Sequence, residues 1–152
     1  MTTAISLAGA TDDPGGRFTA NLTGGDVRPP VDTETDGRSS ISFNEEETEG
    51  RVYLRVNDGV GIAEAHLHCH NSPLNNPIAV TLLGPISGGE DIDKAVEPFF
   101  LDDEQIAAQN SECAITNLGE LREAIVRGRI YADVHSVAHP DEEIQGQVSF
   151  YR

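Results

Sequence analysis

The stretch Ile62-Ala63-Glu64-Ala65-His66-Leu67-His68-Cys69-His70 alternates between two kinds of side chain. Ala63, Ala65, Leu67 and Cys69 share one parity, and Glu64, His66, His68 and His70 share the other. Successive side chains of a strand point to opposite faces, so the pattern predicts a β-strand with a small apolar face toward the core. Its imidazoles then face away from the core, within reach of a loop or solvent. A second stretch repeats the device. Ile130, Ala132 and Val134 form one face, and Tyr131, Asp133 and His135 form the other. All five histidines fall in these two places, at 66, 68 and 70 and at 135 and 139.

Further along the chain the same period recurs. Phe18, Ala20 and Leu22 alternate, as do Ile41 and Phe43, and then Val52, Leu54 and Val56. Asn57-Asp58-Gly59 reads as a turn leading into the histidine strand, and Pro77 to Leu83 as a further apolar strand. Ile144, Gly146, Val148 and Phe150 share the inward face of the last strand. Gly24-Gly25, Pro29-Pro30 and Gly88-Gly89 mark breaks and loops. Leu101 to Gln109 holds a helical turn or two. Asn117 caps a short helix carrying Leu118, Leu121, Ala124 and Ile125 on one stripe, which Gly128 ends. Seven or eight short strands between frequent turns predict an all-β fold, an antiparallel Greek-key β-sandwich with one short helix. The chain of 152 residues suits one domain over 17–152, after a loose lead-in over 1–16.

The formal net charge is -16, and Lys94 is the single lysine among ten basic residues. Such a surface repels nucleic acid and anionic membranes. Because the Debye length shrinks to about 3 Å in molar salt, dispersed carboxylates are tolerated there. The acids at Asp12-Asp13, Glu45-Glu46-Glu47, Asp102-Asp103-Glu104 and Asp141-Glu142-Glu143 are spread along the chain and lack calcium-loop spacing. Adaptation to a salty medium explains them better than an acidic docking face does. No run approaches the about 18 apolar residues of a membrane span. Met1 to Ala10 lacks the pattern of an intact signal peptide. A removed leader and a cytoplasmic start both remain open. Cys69 and Cys113 allow a disulfide, two free thiols, or a Cys69 thiolate ligand. The disulfide ranks first, since alternation turns Cys69 away from the histidines, and it implies an oxidising compartment.

Several of these segments resemble the CHRD domain, named from chordin. They are Ala65-His66-Leu67-His68-Cys69, Ile130-Tyr131-Ala132-Asp133-Val134-His135-Ser136, His139-Pro140-Asp141-Glu142-Glu143-Ile144-Gln145-Gly146-Gln147, and Pro29-Pro30-Val31-Asp32-Thr33 with Gly37. The resemblance runs from about Phe18 to the C-terminus and implies a β-sandwich without an established general activity. Glu142 and Gln145 stand where the family usually has Gly and Arg, and His70 where it commonly has Gly. The H-x-H strand is also similar, in motif and architecture alone, to copper/zinc superoxide dismutases.

If the two histidine strands adjoin, His66, His68 and His135 supply three imidazoles, a donor set suited to Cu or Zn. His139 is the expected fourth ligand, because a turn after the strand can fold it back over His135, and His70 is the reserve. Asp133 is expected to orient an imidazole from behind. The function this suggests is an extracellular or cell-surface domain that binds one Cu or Zn ion, with no catalytic residue assigned. Two rival readings are a copper redox enzyme of the superoxide dismutase type and a structural or adhesive module without metal. The expected partner is the metal ion, with no nucleic acid and no membrane span.

Overall fold

The computed structural model describes residues 16–70 and 76–151, so the lead-in expected over 1–16 lies outside the described residues apart from Gly16. The elements are β1 (Arg17–Thr23), β2 (Asp36–Phe43), β3 (Gly50–Cys69), β4 (Ile78–Leu83), β5 (Glu90–Leu101), α1 (Asp103–Ala108), α2 (Leu118–Val126), β6 (Ile130–Ser136), β7 (Ile144–Gln147) and β8 (Ser149–Phe150). The fold is all-β, as the two-residue periods require. All strand pairs are antiparallel.

The connectivity differs from two separate sheets of a Greek-key sandwich. Hydrogen bonding runs β2-β1-β7-β6-β3, and β3 pairs again with β2, which closes a five-stranded barrel. β4 and β5 attach to β3, and β8 attaches to β1. Closure depends on the length of β3. Its first part pairs with β2 from Gly50 to Asn57, and its second part pairs with β6 from Ile62 to Cys69. A sequence read in windows of six or eight residues sees two strands here and a turn between them. No turn is present. The Asn57-Asp58-Gly59 segment continues the strand through bulges, with Asp58 at φ +52° and Gly61 at φ +60°. Register against β5 shifts between Val56 and Gly59 and between Gly59 and Ile62, and register against β6 shifts between Ile62 and Glu64.

These bulges decide which residues face inward. Each adds a residue to one strand and changes the parity of the residues beyond it. Buried positions therefore step by threes through Val56, Gly59, Ile62 and Ala65, then return to steps of two through Leu67 and Cys69. Even-numbered residues line the core before the bulges, and odd-numbered ones afterwards. The outcome agrees with the alternation read from the histidine strand itself.

The core holds Phe18, Leu22, Phe43, Val52, Ile62, Leu67, Ile130 and Ile144, each essentially inaccessible to water. The helix α2 forms where expected. Asn117 accepts from the Glu120 amide, Leu118, Leu121, Ala124 and Ile125 are buried, and Gly128 ends the helix at φ +71°. The shorter α1 opens with a capping box between Asp102 and Gln105. β5 escaped sequence reading, because Pro98 and its charged residues look unlike a strand. It pairs with β3 alone, a position where proline is tolerated. Phe150 is 42% exposed rather than inward, although its ring still packs 4.5 Å from that of Phe18. Gly146 is required by close approach: a Cβ there would lie 1.9 Å from the Asn21 carbonyl oxygen. A Cys69–Cys113 disulfide ties the loop between α1 and α2 to the end of β3.

Candidate metal centre

β3 and β6 are neighbours in register. His66 lies opposite Asp133, His68 opposite Tyr131, and Glu64 opposite His135. The polar faces of the two strands therefore meet, and cross-strand geometry gathers four side chains. His66, His68, Asp133 and His135 each present one donor atom, all within 4.8 Å of one another. His66 Nδ1 is 3.2 Å from His135 Nε2. Asp133 Oδ2 is 2.9 Å from His68 Nε2 and 3.0 Å from His135 Nε2, and Oδ1 is 3.4 Å from His66 Nδ1.

The alternation alone leaves the imidazoles open to loop or solvent. The structure buries them instead: His66 is 4% exposed, His68 9% and Asp133 0%. Tyr131 stacks on the His68 ring at 5.1 Å, and the turn after β6 covers His135. The outward nitrogen of every imidazole is engaged. His66 Nε2 meets Glu64 Oε2 at 3.1 Å, His68 Nδ1 meets the Asn76 carbonyl at 2.7 Å, and His135 Nδ1 meets the Pro140 carbonyl at 2.9 Å. In a neutral ring the nitrogen facing an oxygen acceptor carries the proton. Neutral rings held in this way direct three lone pairs inward, toward a carboxylate that is also only an acceptor. Among the described residues, His68 Nε2 and Asp133 Oδ1 are buried without a hydrogen-bond partner. The 2.9 Å approach of Asp133 to His68 is an ionic contact that lacks hydrogen-bond alignment.

Without a cation, protons must relieve this arrangement. Burial opposes charge on His135, but the hydrogen bond and negative charge of Asp133 outweigh it, and its pKa is pushed up to about 9. His68 moves the same way: burial lowers it, and Asp133 with the Asn76 carbonyl more than compensates. Burial would raise Asp133, yet the surrounding imidazoles hold it far below the ordinary carboxylate range. Glu142, 3.5 Å from the Tyr131 hydroxyl, is raised by burial and by the charge of Asp133.

The residues singled out from sequence divide. His66, His68 and His135 come together. Asp133, expected behind an imidazole, stands among them as a fourth donor. His139 lies in the turn after β6, where its backbone N–H donates to Ser136 Oγ, and it is not among the four clustered side chains. His70 is exposed, lies against Tyr131, and contacts Gln147 Oε1 through Nε2 at 3.1 Å. Four groups that sequence reading did not assign hold the site: Glu64, Tyr131 and the carbonyls of Asn76 and Pro140. Parity could have found the first two, because they share the polar faces of the two strands. Gln145 is the register partner of Asp133, and its side chain donates to the Asp26 carbonyl.

No helix of the described residues is long and apolar enough to cross a membrane. No curated protein and no solved structure matches the chain significantly. The family model of the CHRD domain matches residues 18–148, which covers the barrel and all four clustered side chains. The chain belongs to the CHRD domain family.

Proposed function

We propose that this CHRD domain is a metal-binding protein of an extracellular or cell-surface compartment that holds one Cu or Zn ion through His66, His68, His135 and Asp133. The observation that carries the reading is the convergence of acceptors. Three imidazoles have their outer nitrogens held by oxygen acceptors, a carboxylate stands among them, and two buried donor atoms lack hydrogen-bond partners. Ligands at about 2.0–2.1 Å from a tetrahedral ion are roughly 3.3 Å apart. With Asp133 Oδ2 as the carboxylate donor, three of the separations, at 2.9, 3.0 and 3.2 Å, lie slightly inside that spacing, and all four donors stay within 4.8 Å of one another. The carbonyls and Glu64 behind the rings supply the outer contacts that orient metal-bound histidines.

A Cu or Zn ion here would supply positive charge that neutralises Asp133 and links β3 to β6. Four protein donors complete a tetrahedral shell, which suits holding an ion better than turnover on it. The disulfide supports an oxidising compartment. The dispersed acidic surface supports a salty one.

The test is titration of chelator-treated, untagged protein with Zn2+ and with Cu2+, alongside the His66→Ala/His68→Ala double variant. Binding of one ion in the parent and its loss in the variant is the expected result. Equal weak binding in both would overturn the reading and leave the cluster as a structural network.

A further inference from the structure

Away from the metal centre, the outer face of β1, β2 and β3 collects charge of the opposite sign to the rest of the molecule. Four of the chain's nine arginines lie on it: Arg17, Arg38, Arg51 and Arg55. Register sets them in rows. Tyr151, whose N–H donates to the Arg17 carbonyl, begins a row that continues through Arg17, Ser42, Arg51 and Phe100. Ser40 pairs with Tyr53 in the next row, and Arg38 with Arg55 in the one after. Arginines thus flank a floor of Ser40, Ser42 and Tyr53, which lines a shallow concavity of about 390 Å³ with Arg17 and Arg51. Strand geometry separates Arg17 from Arg51 by roughly 10 Å across the sheet, and Arg51 from Arg55 by roughly 13 Å along it.

None of the four arginines forms an ion pair with a carboxylate among the described residues, in a chain with 26 acidic residues. Asp36 bounds the face and is held by Asn57 Nδ2, and Glu97 lies in the β5 bulge opposite Tyr53. Three of them are laid on rings instead, and Arg55 Nε donates to Asn57 Oδ1 at 2.8 Å. Arg17 and Arg38 lie 5.1 and 5.5 Å from the Tyr151 centroid, and Arg51 lies 5.8 Å from that of Phe100. Tyr53, Phe100 and Tyr151 are nevertheless 39%, 53% and 54% exposed. Stacking orients a guanidinium at little cost and leaves its N–H edges free for an oxyanion.

We propose that this face binds a linear acidic polysaccharide, with carboxylates taken by Arg17, Arg38 and Arg51 and a sugar ring lying on Tyr53. Exposed rings beside hydroxyls and forked donors match a ligand with apolar ring faces, hydroxyls and spaced carboxylates. The face is open and shallow, so an extended chain fits it better than a protruding side chain does. Nucleic acid fits less well, because its dense phosphates meet a chain whose net charge is -16. The proposal does not depend on the metal reading, since no residue is shared between the two sites.

The test is an NMR titration of the full chain with a galacturonate hexamer, with a neutral galactose hexamer and a short polyphosphate as comparison probes. Saturable shifts confined to β1, β2 and β3 with the galacturonate alone are expected. The Arg17→Gln/Arg51→Gln variant, which loses two charge-assisted contacts, should weaken binding about a hundredfold, and Tyr53→Ala, which loses one stacked ring, about tenfold. All substituted side chains are at the surface, and an unchanged thermal melt verifies folding. No shift with galacturonate, undiminished binding in both variants, or a stronger response to polyphosphate would overturn the proposal. So would a parent dimer that the variants dissociate, which would make the face a contact between copies.

Discussion

Replacing Asp133 by Asn should destabilise the metal-free protein by an amount that depends on pH. Asp133 is fully buried, and its charge lies among three imidazoles, so the substitution removes the group that favours the protonated forms of His68 and His135. The pKa of His135 is raised from 6.5 to about 9. At about 1.4 kcal/mol per pH unit, that shift corresponds to about 3 kcal/mol of stability. The depressed pKa of Asp133 is the same attraction seen from the other partner and is not added. For the raised histidine, the contribution is complete below its unfolded pKa near 6.5 and is lost as pH climbs through about 9. For the depressed carboxylate, it is present above the ordinary carboxylate range and lost only in acid. The parent should therefore be most stable between about pH 4 and 6.5 and lose about 3 kcal/mol by pH 9.5. His68, shifted in the same direction, steepens that decline. Asp133→Asn removes the declining limb. Urea unfolding of both proteins in chelator, at pH 6 and pH 9.5, measures it. A destabilisation of equal size at both pH values would refute the reasoning, because the carboxylate would then be acting through packing alone.

Zn2+ affinity should rise between about pH 6.5 and 9, with proton release on binding, because a ligating imidazole must lose the proton that Asp133 stabilises; calorimetry in buffers of different ionisation enthalpy reads both quantities. Loss of the Cys69–Cys113 bond, which closes a loop with a sequence separation of 44, should cost about 4 kcal/mol by chain entropy, read as the urea-unfolding difference between oxidised and reduced protein. The melting temperature should climb steeply from low to molar NaCl as dispersed carboxylates are screened, and a melt that ignores salt would remove the halophilic interpretation.

Strand period carried much of the site into view. Because His66 and His68 are two residues apart in an alternating run, they share a face in any strand that holds them, and Tyr131, Asp133 and His135 do likewise. Local capping chemistry was equally readable: Asn117 begins α2 and Gly128 ends it. His139 shows the limit of such reasoning. Chain proximity to His135 suggested a ligand, but the turn after β6 covers His135 with the Pro140 carbonyl, and the cluster gathers Asp133 rather than His139.

The amino-acid sequence by itself determined the all-β class, the helix at Leu118–Val126, and the faces on which the imidazoles sit, because these depend on neighbours within a few residues. Tertiary structure alone decided three things. It turned the Asn57-Asp58-Gly59 segment into bulges within one 20-residue strand, closed the barrel through β2 and β3, and set β3 against β6 so that Asp133 stands among three histidines. A turn and a bulge draw on the same residues, and only the partner strand on each side selects between them. Asp133 likewise carries no local sign of its place, since a buried carboxylate is defined by the groups that register brings across from another strand.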